Sequence, residues 1–117
     1  MITMRGFLVV VFLTTMFVVA IGSLKAETGM ASFYGKGFHG RRTASGEIYN
    51  QEAATCAHKT RAFGTLLRVT DKRTGASVTC RVNDRGPFVA GRIVDLSVAK
   101  ARELGILKRG VAHVEVE

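Results

Sequence analysis

The chain has one proline, Pro87, two cysteines, Cys56 and Cys80, and only nine Asp and Glu against seventeen Lys and Arg. Each scarcity excludes something. No long linker or low-complexity tract interrupts the 117 residues, so at most one ordinary domain fits. No His/Cys/Asp cluster has metal-ligand spacing. Cys56-x-His58 alone is too little, and a disulfide would remove its thiolate. There is no G-x-S-x-G elbow and no phosphate loop. The sequence therefore calls for no metal and no cofactor. Few groups remain that could carry chemistry: Glu47, His58, Asp84 and Asp95 first, then Glu52, His39 and His113.

Charge is also missing from Phe7 to Gly22, a run of sixteen apolar or uncharged residues after a short basic segment bearing Arg5. The polar stretch SLKAETG follows. That layout predicts a secretory signal peptide over residues 1–26, with cleavage after Ala26 or, as the alternative, after Gly22. The run is shorter than the ~20 residues a spanning helix needs, so an uncleaved anchor is the weaker reading and no stable membrane span is expected after cleavage. No cysteine near residues 20–27 offers a lipid-attachment site. The expected location is periplasmic or secreted.

The domain is then 27–117, small and with a marginal core. Setting aside Arg5 and Lys25, it carries fifteen basic and nine acidic residues, a net charge of +6. A basic exported protein is drawn to acidic wall polymers or anionic membranes, or is simply kept soluble by its charge. Nucleic acid would rest on charge alone and fits export poorly. Export also places Cys56 and Cys80 where disulfides persist. Cys80 shares a strand face with Val78 and Val82, so a Cys56–Cys80 staple worth ~3 kcal/mol is expected, with two buried free thiols as the alternative.

The pattern is mostly β. Strands are expected at 29–34, 65–70, 77–83, 91–96 and 111–117, with a hairpin turn at 71–75 and a Gly-rich loop at 35–47. Residues 97–105 form the one helix candidate: Ser97 caps it, Val98 and Leu104 face inward, Gly105 ends it, and Asp95 assists its N-terminus. His113 falls on the solvent face of the last strand. Short strands with frequent turns suggest a small barrel.

One internal echo singles out an acid. Arg-Val-x-Asp-basic occurs at 68–72 and again at 81–85. After Asp71 comes polar turn chemistry ending at Gly75, so Asp71 reads as a turn residue. After Asp84 come Gly86-Pro87 and Phe88. A stiff loop with an aromatic neighbour can hold an acid still and partly desolvated.

Beyond this point the motifs themselves speak. ASFYGKGFHGRRTASGEIYN, CAHKTRAFGTLLRVTDKRTG and VNDRGPFVAGRIVDLSVAKARELG, spanning about 29–117, together resemble the rare lipoprotein A (RlpA)-like family. The resemblance implies a mainly β fold, a six-stranded double-psi β-barrel with one short helix. It implies a lytic transglycosylase that cuts the β-1,4 bond between N-acetylmuramic acid and N-acetylglucosamine in peptidoglycan, leaving 1,6-anhydro ends. Because the muramic O6 is the nucleophile, one carboxyl group can serve as acid and then base. By position, Asp84 is the implied acid/base, Glu47 and His58 the other catalytic residues, Tyr34 and Phe88 a sugar platform, and Arg85 and Arg92 groove cations. Arg85 is alternatively an ion-pair partner of Asp84. Asn50 stands where the family often has an aspartate of its active-site set, with Glu52 as a poor substitute, and the cysteine pair replaces small apolar residues. The implied partners are glycan strands, with cell-division or wall-synthesis proteins as candidates. A non-catalytic, expansin-like wall-binding module is the alternative on the same barrel.

Overall fold

The computed structural model describes residues 26–117; the expected signal peptide, apart from its last residue Ala26, lies outside them. Six strands form the barrel: β1 (Glu27–Phe33), β2 (Thr55–His58), β3 (Leu66–Asp71), β4 (Ser77–Asp84), β5 (Arg92–Leu96) and β6 (Ala112–Val116). One helix is found among the described residues, α1 (Val98–Leu104), between β5 and β6. Around the closed barrel the order is β1-β5-β2-β4-β3-β6. The pairs β1/β5 and β2/β4 are parallel and the others antiparallel. This is the closed six-stranded barrel that the motifs implied.

Alternation explains the inside. Leu67 and Val69 on β3, Val78, Cys80 and Val82 on β4, Val94 and Leu96 on β5, and Ala112, Val114 and Val116 on β6 all face one core. Their intervening neighbours point outward, His113 among them. Cys56 and Cys80 are joined, with Cα atoms 5.7 Å apart, and the buried bond staples the neighbouring strands β2 and β4.

The strand at 55–58 was not anticipated. All four residues of TCAH are buried, because β2 lies between β4 and β5. No alternation can appear in so short a run. The turn at 71–75 forms as expected: Gly75 donates to the Asp71 carbonyl at 2.8 Å and takes φ 78°. The Ser97 hydroxyl caps α1 by accepting from the Lys100 amide at 3.3 Å. Gly105 closes the helix in the left-handed region. The buried helix residues are Ala101 and Leu104, whereas Val98 is only half-buried.

Both parallel pairs carry an irregularity, between Met30 and Ala31 on β1 and between Cys56 and Ala57 on β2. Bulges re-aim the residues beyond them. The second brings Ala57 opposite Asp84 on one side, while β5 brings Asp95 opposite Ala57 on the other. Gly29 permits the close approach of β1 and β5, since a Cβ there would sit 2.7 Å from Ile93 Cγ2.

Candidate functional site

Two acids end up at the same mouth of the barrel. Asp84 closes β4 and Asp95 sits near the end of β5. Both line an open groove of about 320 Å³ with Tyr34, Phe38, Phe88 and Arg92 among its walls.

Asp84 is held by three donors. The Tyr34 hydroxyl donates to Oδ2 at 2.5 Å, and the amides of Ala44 and Arg85 donate to Oδ1 at 2.8 and 2.9 Å. In the loop after it, Gly86 takes φ 114°, a region that favours glycine, and Pro87 follows. A carboxylate offers roughly four acceptor positions, so these three donors leave one unused on a residue that lines the groove.

Tyr34 is itself positioned. Its ring stacks on buried Tyr49 with centroids 4.2 Å apart and meets the edge of Phe38 at 5.8 Å. Burial first, and then the hydrogen bond to Asp84, push its phenol pKa far up, so it stays a proton donor. The 35–50 loop packs against it by a local fold-back: Thr43 donates to the Glu47 carbonyl and Tyr49 to the Arg41 carbonyl. The loop tip is tied down by the Ser45 amide, which donates to the Asn83 carbonyl at 3.3 Å.

Asp95 differs from its expected place. It does not serve the helix N-terminus, which Ser97 caps. Its carboxylate accepts from the Ser32 hydroxyl and faces the groove. Burial raises its pKa above the usual carboxylate value, against the opposing pull of Ser32 and Arg92, and the charge of Asp84 adds to the rise. Alternation offered a hint, since Val94 and Leu96 point inward and Asp95 therefore points out. Nothing local says that outward here means into a groove.

The remaining predicted residues divide. Tyr34, Arg85, Phe88 and Arg92 join Asp84 at the groove, with Phe88 82% exposed. Arg85, however, makes no ion pair with Asp84. Its Nη1 donates to the carbonyls of His58 and Arg61 at 3.3 and 2.8 Å, and its guanidinium lies 4.0 Å from the Phe63 ring centroid. Glu47 is exposed on the 35–50 loop and takes a two-pronged pair with Arg81 at 2.8 and 2.9 Å. That hydrogen bonding, only partly opposed by desolvation, holds its carboxyl below the usual range. His58 is 2% exposed and its ring is occupied: Nδ1 accepts from the Thr60 and Arg61 amides, which leaves Nε2 to donate to Glu27 at 3.0 Å. Asn50 accepts from the Glu52 amide at 2.9 Å in a local turn, and Glu52 pairs with Arg102. None of Glu47, His58, Asn50 and Glu52 lines the groove.

A model of the lytic transglycolase family matches residues 26–116. The probable endolytic peptidoglycan transglycosylase RlpA of Synechocystis sp. is 56% identical over 93 residues, 80% of this chain and 29% of that protein. The endolytic peptidoglycan transglycosylase RlpA of Pasteurella multocida is 55% identical over 92 residues, 79% of this chain and 31% of that one. The corresponding protein of Campylobacter jejuni is 50% identical over 100 residues, 86% and 36% of the two chains. The chain thus spans about a third of the length of these curated relatives. Among solved structures, the Streptomyces papain inhibitor superposes with a TM-score of 0.64 at 21% identity, covering 83% of this chain and 96% of its own. An expansin of Clavibacter michiganensis superposes with a TM-score of 0.62 at 21% identity, covering 80% and 50%. At that identity the two structures speak for the barrel alone. With its motifs in order and a barrel mouth bearing Asp84, the chain belongs to the lytic transglycolase family.

Proposed function

We propose that this domain is an endolytic peptidoglycan lytic transglycosylase of the cell envelope, working outside the cytoplasm on glycan strands. One observation carries the reading: two carboxyl groups with different surroundings, Asp84 and Asp95, face one open groove flanked by exposed aromatic rings.

The resemblance gives both proton steps to Asp84. The surroundings favour sharing them. Asp95, whose proton burial helps retain, donates to the glycosidic oxygen as the bond to C1 breaks. The muramic O6 hydroxyl closes onto C1 and yields its proton to the open acceptor position of Asp84. The net result is one cleaved glycosidic bond, one new 1,6-anhydro ring and one proton moved between carboxyl groups. Tyr34 and the two backbone amides hold Asp84 in place, Phe88 and Phe38 offer apolar faces to the sugars, and Arg92 sits beside Asp95.

An expansin-like binding module is the second reading. It is favoured by Glu47 being neutralised by Arg81 and by Asn50, an amide that cannot titrate. Incubation with peptide-free glycan strands, followed by mass spectrometry of soluble products, separates the two. Release of 1,6-anhydro ends supports the transglycosylase. Pelleting with wall material and no release supports the binding module, and reducing ends in place of anhydro ends would indicate hydrolysis.

A further inference from the structure

Arg85 lines the groove, but the groups that hold its guanidinium, His58, Arg61 and Phe63, stand outside it and have no assigned purpose. His58 organises this clamp. Its Nδ1 draws in the amides of Thr60 and Arg61 at 3.1 and 3.0 Å, which curls the chain after β2. Glu27 at the start of β1 fixes the opposite ring nitrogen at 3.0 Å and also takes Arg61 Nη2 at 3.2 Å. The curl points two carbonyls, His58 O and Arg61 O, at Arg85 Nη1. Phe63, two residues on, supplies a flat shelf under the same guanidinium. The Arg85 side chain is thereby fixed at its far end, while its own amide donates to Asp84 Oδ1 at 2.9 Å.

We propose that His58, Phe63 and Arg85 form a positioning clamp that sets the Asp84 carboxylate through the Arg85 backbone, so that His58 and Phe63 serve the reaction without touching the glycan. The inference rests on the transglycosylase reading for its kinetic consequence, but the clamp itself has a consequence that needs no turnover. Planarity matters here: a guanidinium can lie flat on a ring while its in-plane N–H groups donate to carbonyls, a geometry that a tetrahedral ammonium does not reproduce. A carboxylate displaced by a fraction of an ångström meets the transition state badly while the groove still binds sugar.

Phe63 is the residue to change, because it is 43% exposed and lies outside the groove. In Phe63→Ala, kcat on peptide-free glycan strands is expected to fall about tenfold or more. KM stays within about twofold of wild type, and Phe63→Tyr restores kcat. Arg85→Lys, which keeps the charge, shows the same kcat loss. A rise in KM at constant kcat in Arg85→Lys would make Arg85 a groove cation and overturn the clamp, as would wild-type kcat in Phe63→Ala. The Arg85 amide proton, followed by NMR, separates this from failure of the enzymatic reading. Even in a protein with no turnover, it moves upfield in Phe63→Ala and returns in Phe63→Tyr if the clamp holds the Asp84 hydrogen bond. An unmoved Arg85 amide in a well-dispersed spectrum would end the proposal.

Discussion

Asp71 and Asp84 finish two strands of almost the same wording, Arg-Val-Thr-Asp on β3 and Arg-Val-Asn-Asp on β4, yet they meet opposite surroundings. Asp71 is fully buried and closed off. Its carboxylate takes the Arg109 guanidinium and the Arg73 amide, the latter at 2.9 Å. Burial opposes its charge, but those partners outweigh it and hold the pKa below the usual value. Asp84 is half-buried, has only neutral donors for partners, and opens on a groove. The acid alone decides neither outcome. The next few residues of the chain decide both: a tight turn at Gly75 folds β3 straight into β4, whereas Gly86-Pro87 swings the chain away and leaves the barrel mouth open. β4 is also the stapled strand, through Cys80, and β3 is not.

The comparison can be broken first at Asp84. Asp84→Asn is expected to lower glycan cleavage about 100-fold or more, the usual worth of a positioned acid or base, with the melting temperature nearly unchanged. A large loss of stability in that variant would put Asp84 in the same class as Asp71. Next comes the staple. Replacing Cys56 and Cys80 together by serine removes a loop closure worth ~3 kcal/mol in the chain-entropy model, read by urea denaturation. Because the bond pins the strand that carries Asp84, activity should fall at temperatures where the folded fraction is still high.

Asp71→Asn should do the reverse of Asp84→Asn. It weakens a charge-assisted hydrogen bond inside the protein and is expected to destabilise by about 2 kcal/mol with kcat intact. The effect depends on pH. The folded pKa of Asp71 is depressed, so its contribution is fully present above the unfolded aspartate value of about 4 and is lost as pH falls through the folded value. The gap in melting temperature between wild type and variant should therefore close on acidification below about pH 4. Asp95 is predicted to behave oppositely, and its effect is the smallest. Its folded pKa is raised by burial, so its favourable contribution is complete below the unfolded value and disappears as pH rises through the folded one. Asp95→Asn should then raise the melting temperature at pH 7 while activity drops, and the gain should vanish in acid. A variant that is less stable at pH 7 would contradict the assignment of Asp95 as a strained groove acid.

These contrasts also show how far the sequence could be read. Strands β3, β4 and β6 announced themselves by alternation, and Ser97 and Gly105 marked the helix ends. The stiff Gly86-Pro87 loop marked Asp84, and the facing of Cys80 anticipated the disulfide. Strand β2 was illegible because four buried residues between two strands leave no period to detect. The groove role of Asp95 depends on β1 and β2 flanking β5, an adjacency of chain segments far apart in sequence. Glu47 and His58 were named by motif, but their orientation is set by partners distant in sequence, Arg81 for one and Glu27 for the other. Motif position fixes where a side chain starts. The partner across the fold fixes where it points.

The central claim is that Asp84 is the working proton acceptor of glycan cleavage and its near-twin Asp71 is not. The most direct measurement incubates wild type, Asp84→Asn and Asp71→Asn with peptide-free glycan strands well below their melting temperatures, with mass spectrometry of the released ends. The account predicts 1,6-anhydro ends from wild type and from Asp71→Asn, and none from Asp84→Asn even though that variant still pellets with glycan. Wild-type release by Asp84→Asn would contradict it.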